Sequence, residues 1–77
     1  MNIEDTCKEI RDALKVVAKE VRGLMNHEVF DSPLDSVRNE PEMKANIMLT
    51  YRHIEDATMR LGKVIQAHDG GKSVYDK

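Results

Sequence analysis

The chain is short of most things that let a small protein stand alone. Its 77 residues include two Tyr, one Phe and no Trp, so a compact monomeric core has few bulky anchors, and a domain this size is near the lower limit for burying enough surface. A single cysteine, Cys7, excludes an internal disulfide framework and fits a reducing compartment. His27, His53 and His68 form no His-x-x-x-His pair and Cys7 no Cys-x-x-Cys pair, so neither a metal nor any other cofactor is expected. No apolar run approaches the roughly 20 residues that span a bilayer. The start, Met1-Asn2-Ile3-Glu4-Asp5, has neither the basic end nor the apolar stretch of a signal peptide, which predicts a cytoplasmic protein with no membrane partner. A net charge of −2 argues against holding duplex nucleic acid by bulk electrostatics, while leaving room for a small anion met by a few local cations. With disulfides and metals set aside, oligomerisation is the remaining route to stability.

The first segment is regular. Ile3, Cys7, Ile10, Leu14, Val17, Val21 and Leu24 recur at alternating steps of four and three, a heptad seam with Cys7, Leu14 and Val21 at a and the others at d. Acids open the segment (Glu4, Asp5) and bases recur towards its end (Lys15, Lys19, Arg22), which suits the helix dipole. The pattern predicts a helix over about 3–28, weakened late by Gly23. Residues 29–39 interrupt it. Ser32 before Pro33 reads as an N-cap with proline at the first helical position, so a short helical turn is expected through Val37, with Phe30, Leu34 and Val37 folding back over the hairpin end.

A second helix is expected over about 40–68, opened by Asn39 as N-cap with Glu42 three residues on. Its stripe is Ile47, Tyr51, Ile54, Thr58, Leu61 and Ile65, widened by Ala57 and Val64. Thr58 is a polar residue within the seam, a device that fixes register. Gly70 or Gly71 supplies the left-handed cap, and 69–77 form a mobile tail. The fold class predicted is all-α: one domain over 1–77, an antiparallel two-helix hairpin with a helical turn in its connection, assembling into a compact homo-oligomer. Val16, Met25, Met48 and Met59 lie off both stripes and are expected to meet other subunits.

Chemistry is concentrated on the second helix. At roughly 100° per residue, Arg52, Met59 and Lys63 fall on one line opposite the core stripe, with Arg60 between that line and the core. Two readings stand. Asp56 lies four residues from both Arg52 and Arg60, so ordinary surface pairs at a few tenths of a kcal/mol account for them. Alternatively Arg52 and Lys63 line an anion pocket once subunits pack this face together, arginine as a planar fork and lysine as a point charge. No catalytic residue is expected: Cys7 belongs to the seam, and His53 beside Glu55 and Asp56 sits on a solvated flank. "DGGKS" lacks the full phosphate-loop pattern and follows a helix rather than a strand.

The stretch "LTYRHIEDATMRLGKVIQ", with "AKEVRGLM" more loosely before it, resembles the signature helix of a phage helical-hairpin family. Its members block the CBASS and Thoeris bacterial defences by sequestering cyclic-nucleotide signals. The matching residues are Tyr51-Arg52, Ile54, Ala57, Met59, Leu61, Lys63 and Ile65. The resemblance implies a non-catalytic sponge in the cytoplasm of an infected bacterium, commonly a hexamer, whose partners are cyclic di- or trinucleotides. It implies that Arg52, Lys63 and Arg60 meet phosphates, that Tyr51, Thr58 and Met59 meet base or ribose, and that Lys15 matches the lysine of a second pocket. A trinucleotide is favoured, because a three-fold axis presents three copies of each cation to three phosphates. The alternative is a coiled-coil adaptor that binds a protein partner without nucleotide.

Overall fold

A computed structural model describes residues 2–31 and 38–70. Two α-helices, α1 (Ile3–Gly23) and α2 (Glu40–His68), pack along one another, and two short 3-10 turns, Leu24–Asn26 and Glu28–Asp31, follow α1. Among the described residues there is no strand, and no helix is long and apolar enough to cross a membrane. The helical-hairpin expectation therefore matches. The helical turn expected from Ser32 to Val37, the contacts of Leu34 and Val37, and residues 71–77 lie outside the described residues.

Both helix starts are capped by asparagine. Asn2 takes an extended conformation and its Oδ1 accepts from the Asp5 amide at 2.8 Å, a cap that the heptad pattern did not single out. Asn39 accepts from the Glu42 amide at 3.1 Å as expected. Glu42 does not reach back to complete a capping box. Its Oε1 accepts from Asn46 Nδ2 at 3.0 Å instead. At the far end Gly70, at φ +89°, supplies the left-handed residue and donates to the Ala67 carbonyl.

The first helix ends earlier than the expected position near 28. Beyond Gly23 the chain tightens into 3-10 geometry, and His27 turns extended, its Nδ1 accepting from the Val29 amide at 3.0 Å. Phe30 is half-buried, its ring 5.0 Å from Lys44 Nζ.

The seam itself differs from the a/d reading. Only Cys7, 3% exposed, and Ala18, 8% exposed, are buried among the described residues. They stand eleven residues apart, three turns of an unsupercoiled helix. Around them Arg11, Leu14, Val21 and Met25 are half-buried, so α1 packs on its a and e positions. The d row of Ile3, Ile10, Val17 and Leu24 remains between 43% and 47% exposed. Small side chains explain the rotation: thiol and methyl let the second backbone approach, whereas isoleucine and valine hold it off.

On α2 the expected stripe from Ile47 to Ile65 is half-buried along its length. Thr58 gives the seam a polar fixed point in an unexpected way. Its hydroxyl donates to the Ile54 carbonyl at 2.9 Å, and its own carbonyl accepts from Arg11 Nε at 3.1 Å across the two helices. The Arg11 guanidinium then lies over Gly62, where an added Cβ would stand 3.5 Å from its Cζ, an ordinary contact. Gly62→Ala should therefore keep the Arg11 bond and raise stability by about 0.5–1 kcal/mol through helix propensity. A urea midpoint that falls instead would show that Arg11 needs the bare backbone.

Candidate functional site

The predicted site residues separate into two groups. Lys15, Tyr51 and Thr58 come together: with Ala18, Lys19 and Glu55 they line a groove of about 350 Å³ running along one edge of the hairpin. The groove exists because Ala18 is small at the point where the helices meet, leaving a trough that longer side chains border. Lys15, Lys19 and Arg22 recur at steps of four and three on α1, so they share one flank beside the seam. Arg22 places its guanidinium carbon 5.5 Å from the Tyr51 ring centroid, which fixes the ring at the groove's end.

Arg52, Met59 and Lys63 form the second group. They are exposed, Met59 to 61%, and lie one shoulder further round α2, beyond Glu55. Arg60 is turned to a different job: its Nε meets Asp56 Oδ2 at 3.0 Å. Asp56 thus pairs with Arg60 and not with Arg52, which decides between the two partners that spacing offered. Within 4.0 Å, Lys15, Lys19, Arg52 and Lys63 have no ion pair among the described residues.

Lys19 lines the groove and Arg22 stands over Tyr51 at its end, whereas sequence spacing marks both only as complements to the helix dipole. Their signal was present, since Lys15, Lys19 and Arg22 repeat the seam's own period one position further round. Glu55 was noted only as a neighbour of His53, yet it supplies the single acid of the groove lining.

Chemically the groove offers two ammonium groups that hold no ion pair among the described residues, one carboxylate, a phenol ring and a threonine hydroxyl. Such a set suits an anion that also carries a flat or hydroxylated part. Among the described residues no group of three or more His, Cys, Asp or Glu is arranged to hold a metal ion. Cys7 is buried in the seam, and His53 is exposed on the outer side of α2. A second hollow of about 400 Å³ lies at the connected end, walled by Val21, Leu24, Val29, Phe30, Met43 and Ile47, and is almost wholly apolar. No family model, curated protein or solved structure matches the chain.

Proposed function

We propose that this protein is a non-catalytic sponge for cyclic oligonucleotide signals, acting in the cytoplasm of an infected bacterium against CBASS-type or Thoeris-type defence. The observation that carries the reading is the groove that Lys15 and Lys19, without an ion pair among the described residues, line together with Tyr51 and Thr58. Phosphates meet the ammonium groups, and base or ribose meets the tyrosine and threonine. Arg52 and Lys63, without an ion pair among the described residues, add a second cationic stripe that becomes a pocket where subunits of a homo-oligomer, a hexamer in this reading, bring copies together. The similarity of "LTYRHIEDATMRLGKVIQ" to the phage hairpin family supports the same ligand class. Sequestration needs affinity and abundance alone, which fits a chain whose thiol is buried in its core.

Isothermal titration of the folded full chain with a panel of cyclic di- and trinucleotides tests the proposal. Saturable heat is expected, strongest for a trinucleotide, and Arg52→Glu should weaken it at least about tenfold while the native mass stays the same. Silence across the whole panel from a folded sample would sink the reading. The adaptor alternative draws on Leu49 and Met59, both exposed on the outer side of α2. It predicts a mass spectrum free of nucleotide and a protein partner recovered with the chain.

A further inference from the structure

Arg11 carries a charge that the fold leaves unanswered. Its side chain leaves α1 beside the seam, crosses to α2 and donates from Nε to the Thr58 carbonyl at 3.1 Å. The guanidinium then lies flat over Gly62. A Cβ built there would stand 3.5 Å from Cζ, 3.6 Å from Nη2 and 3.8 Å from Nε, and the central carbon is nearest only when the plane is met face-on. The group is half-buried and holds no ion pair among the described residues. Taking a cation partly out of water against backbone alone costs free energy that one carbonyl dipole offsets only in part.

Its neighbours add to the imbalance. Counted at 100° per residue, Lys8, Arg11, Lys15, Lys19 and Arg22 fall within an arc of roughly 80° along α1. Of the five, Lys8 alone has an ion pair among the described residues, with Glu4 at 3.2 Å. Arg11 with Lys15, and Lys15 with Lys19, are like charges four residues apart, a spacing that weakens a helix. Thr58 ties Arg11 to the lysine groove, since it lines the groove and its carbonyl holds the guanidinium. Gly62 stands seven residues from Glu55, two turns on, so the groove's side of α2 continues past Thr58 over bare backbone to Arg11.

We infer that Arg11 is the phosphate fork of this groove, taking two oxygens of an oligophosphate ligand on its two Nη groups beside Lys15. A guanidinium presents parallel N–H bonds that match a phosphate, and with Nε engaged by Thr58 the Nη end is the remaining fork. The Thr58 bond and the Gly62 backbone fix the plane in advance, so little side-chain freedom is lost on binding. The groove thereby acquires a direction. At one end Arg22 holds the Tyr51 ring, which suits a flat base; about 10 Å along α2, past Thr58, Arg11 receives a phosphate. The inference deepens the sponge reading and rests on it for the base, whereas the phosphate fork needs no cyclic nucleotide. The competing role is a plain strut between the helices, which affects stability and is indifferent to anions.

Inorganic pyrophosphate, set against sodium chloride at equal ionic strength, is the first probe of the full chain. It is read by the arginine Nε–H signals in a nitrogen–proton correlation spectrum and by the urea midpoint. The Arg11 signal, assigned by its loss in Arg11→Lys, should move saturably, and the midpoint should rise because the ligand binds the folded chain. Arg11→Lys keeps a cation without the fork, and should bind pyrophosphate about tenfold more weakly with its ligand-free midpoint little changed. Arg11→Gln should weaken binding at least about thirtyfold. The wild-type signal needs no folded variant, so the test survives a substitution that loosens the hairpin. An Arg11 signal indifferent to pyrophosphate, or Arg11→Lys binding as tightly as the wild type, would overturn the fork and leave a strut. Pyrophosphate bound at Arg11 with no heat from any cyclic oligonucleotide would keep the fork and remove the sponge.

Discussion

Cys7→Lys should abolish the cooperative unfolding transition of the chain at 25 °C and leave a far-ultraviolet spectrum with most of its helical signal lost. Cys7 is 3% exposed, the most enclosed position among the described residues. An ammonium placed there loses its water and stands one turn from another cation, Arg11, which reaches across the seam to the Thr58 carbonyl. Breaking charge balance in a core costs about 3–5 kcal/mol, against a total stability of about 5 kcal/mol for a domain of this size. Cys7→Ala removes only a small apolar volume and should cost about 1 kcal/mol. The pair of variants separates the two effects: a lysine variant as stable as the alanine one would show that position 7 lies outside the core. The thiol gives an independent readout in the wild type. Its reaction with a thiol reagent should be slow in buffer and should accelerate at the same urea concentration at which circular dichroism is lost.

The position of Cys7 also shows where sequence patterning was sufficient and where it was not. Alternating steps of four and three identified α1 and the run of α2, and Asn39 with Glu42 identified where α2 begins, because periodicity and capping are local properties. Patterning could not choose between d and e as the second half of the α1 seam. That choice depends on how closely two backbones approach, and closeness was decided by the small side chains of Cys7 and Ala18, the latter with little hydrophobic signal of its own. Arg11 could not be recognised as a cross-helix donor, since its acceptor is a backbone carbonyl, Thr58, that no side-chain rule marks.

The candidate site was legible to a similar depth. Lys15, Tyr51 and Thr58 lie in the groove, while Arg52 and Lys63 lie outside it, and spacing on one helix could not have separated them. The separation follows from the antiparallel register, which sets the α1 flank of Lys15 and Lys19 beside Tyr51 and Glu55. The row of Ile3, Ile10, Val17 and Leu24 falls on the opposite edge of α1. One side of the hairpin is thereby cationic and grooved and the other uncharged.

Reversing both groove lysines, Lys15→Glu with Lys19→Glu, should reduce cyclic oligonucleotide affinity at least about a hundredfold while leaving the helices intact. A charge-assisted contact to a phosphate contributes about 1.5–3 kcal/mol, and reversal adds repulsion to its loss. Two such changes leave little of a micromolar affinity to measure. The fold should survive, because both lysines are exposed and neither holds an ion pair in the described structure. Lys15→Gln with Lys19→Gln controls for repulsion between the new acids and Glu55, and should give an intermediate loss. Glu55 provides the opposite sign in the same groove. Glu55→Gln removes the one acid of the lining and should raise affinity several-fold, more at low salt than at high salt because the attraction is screened. Titration calorimetry at two ionic strengths reads all four proteins. If lysine reversal leaves affinity unchanged while Arg52→Glu lowers it, the ligand sits on the outer stripe between subunits and the groove is a packing trough. If Glu55→Gln and lysine reversal move affinity in opposite directions, the anion lies between the two helices.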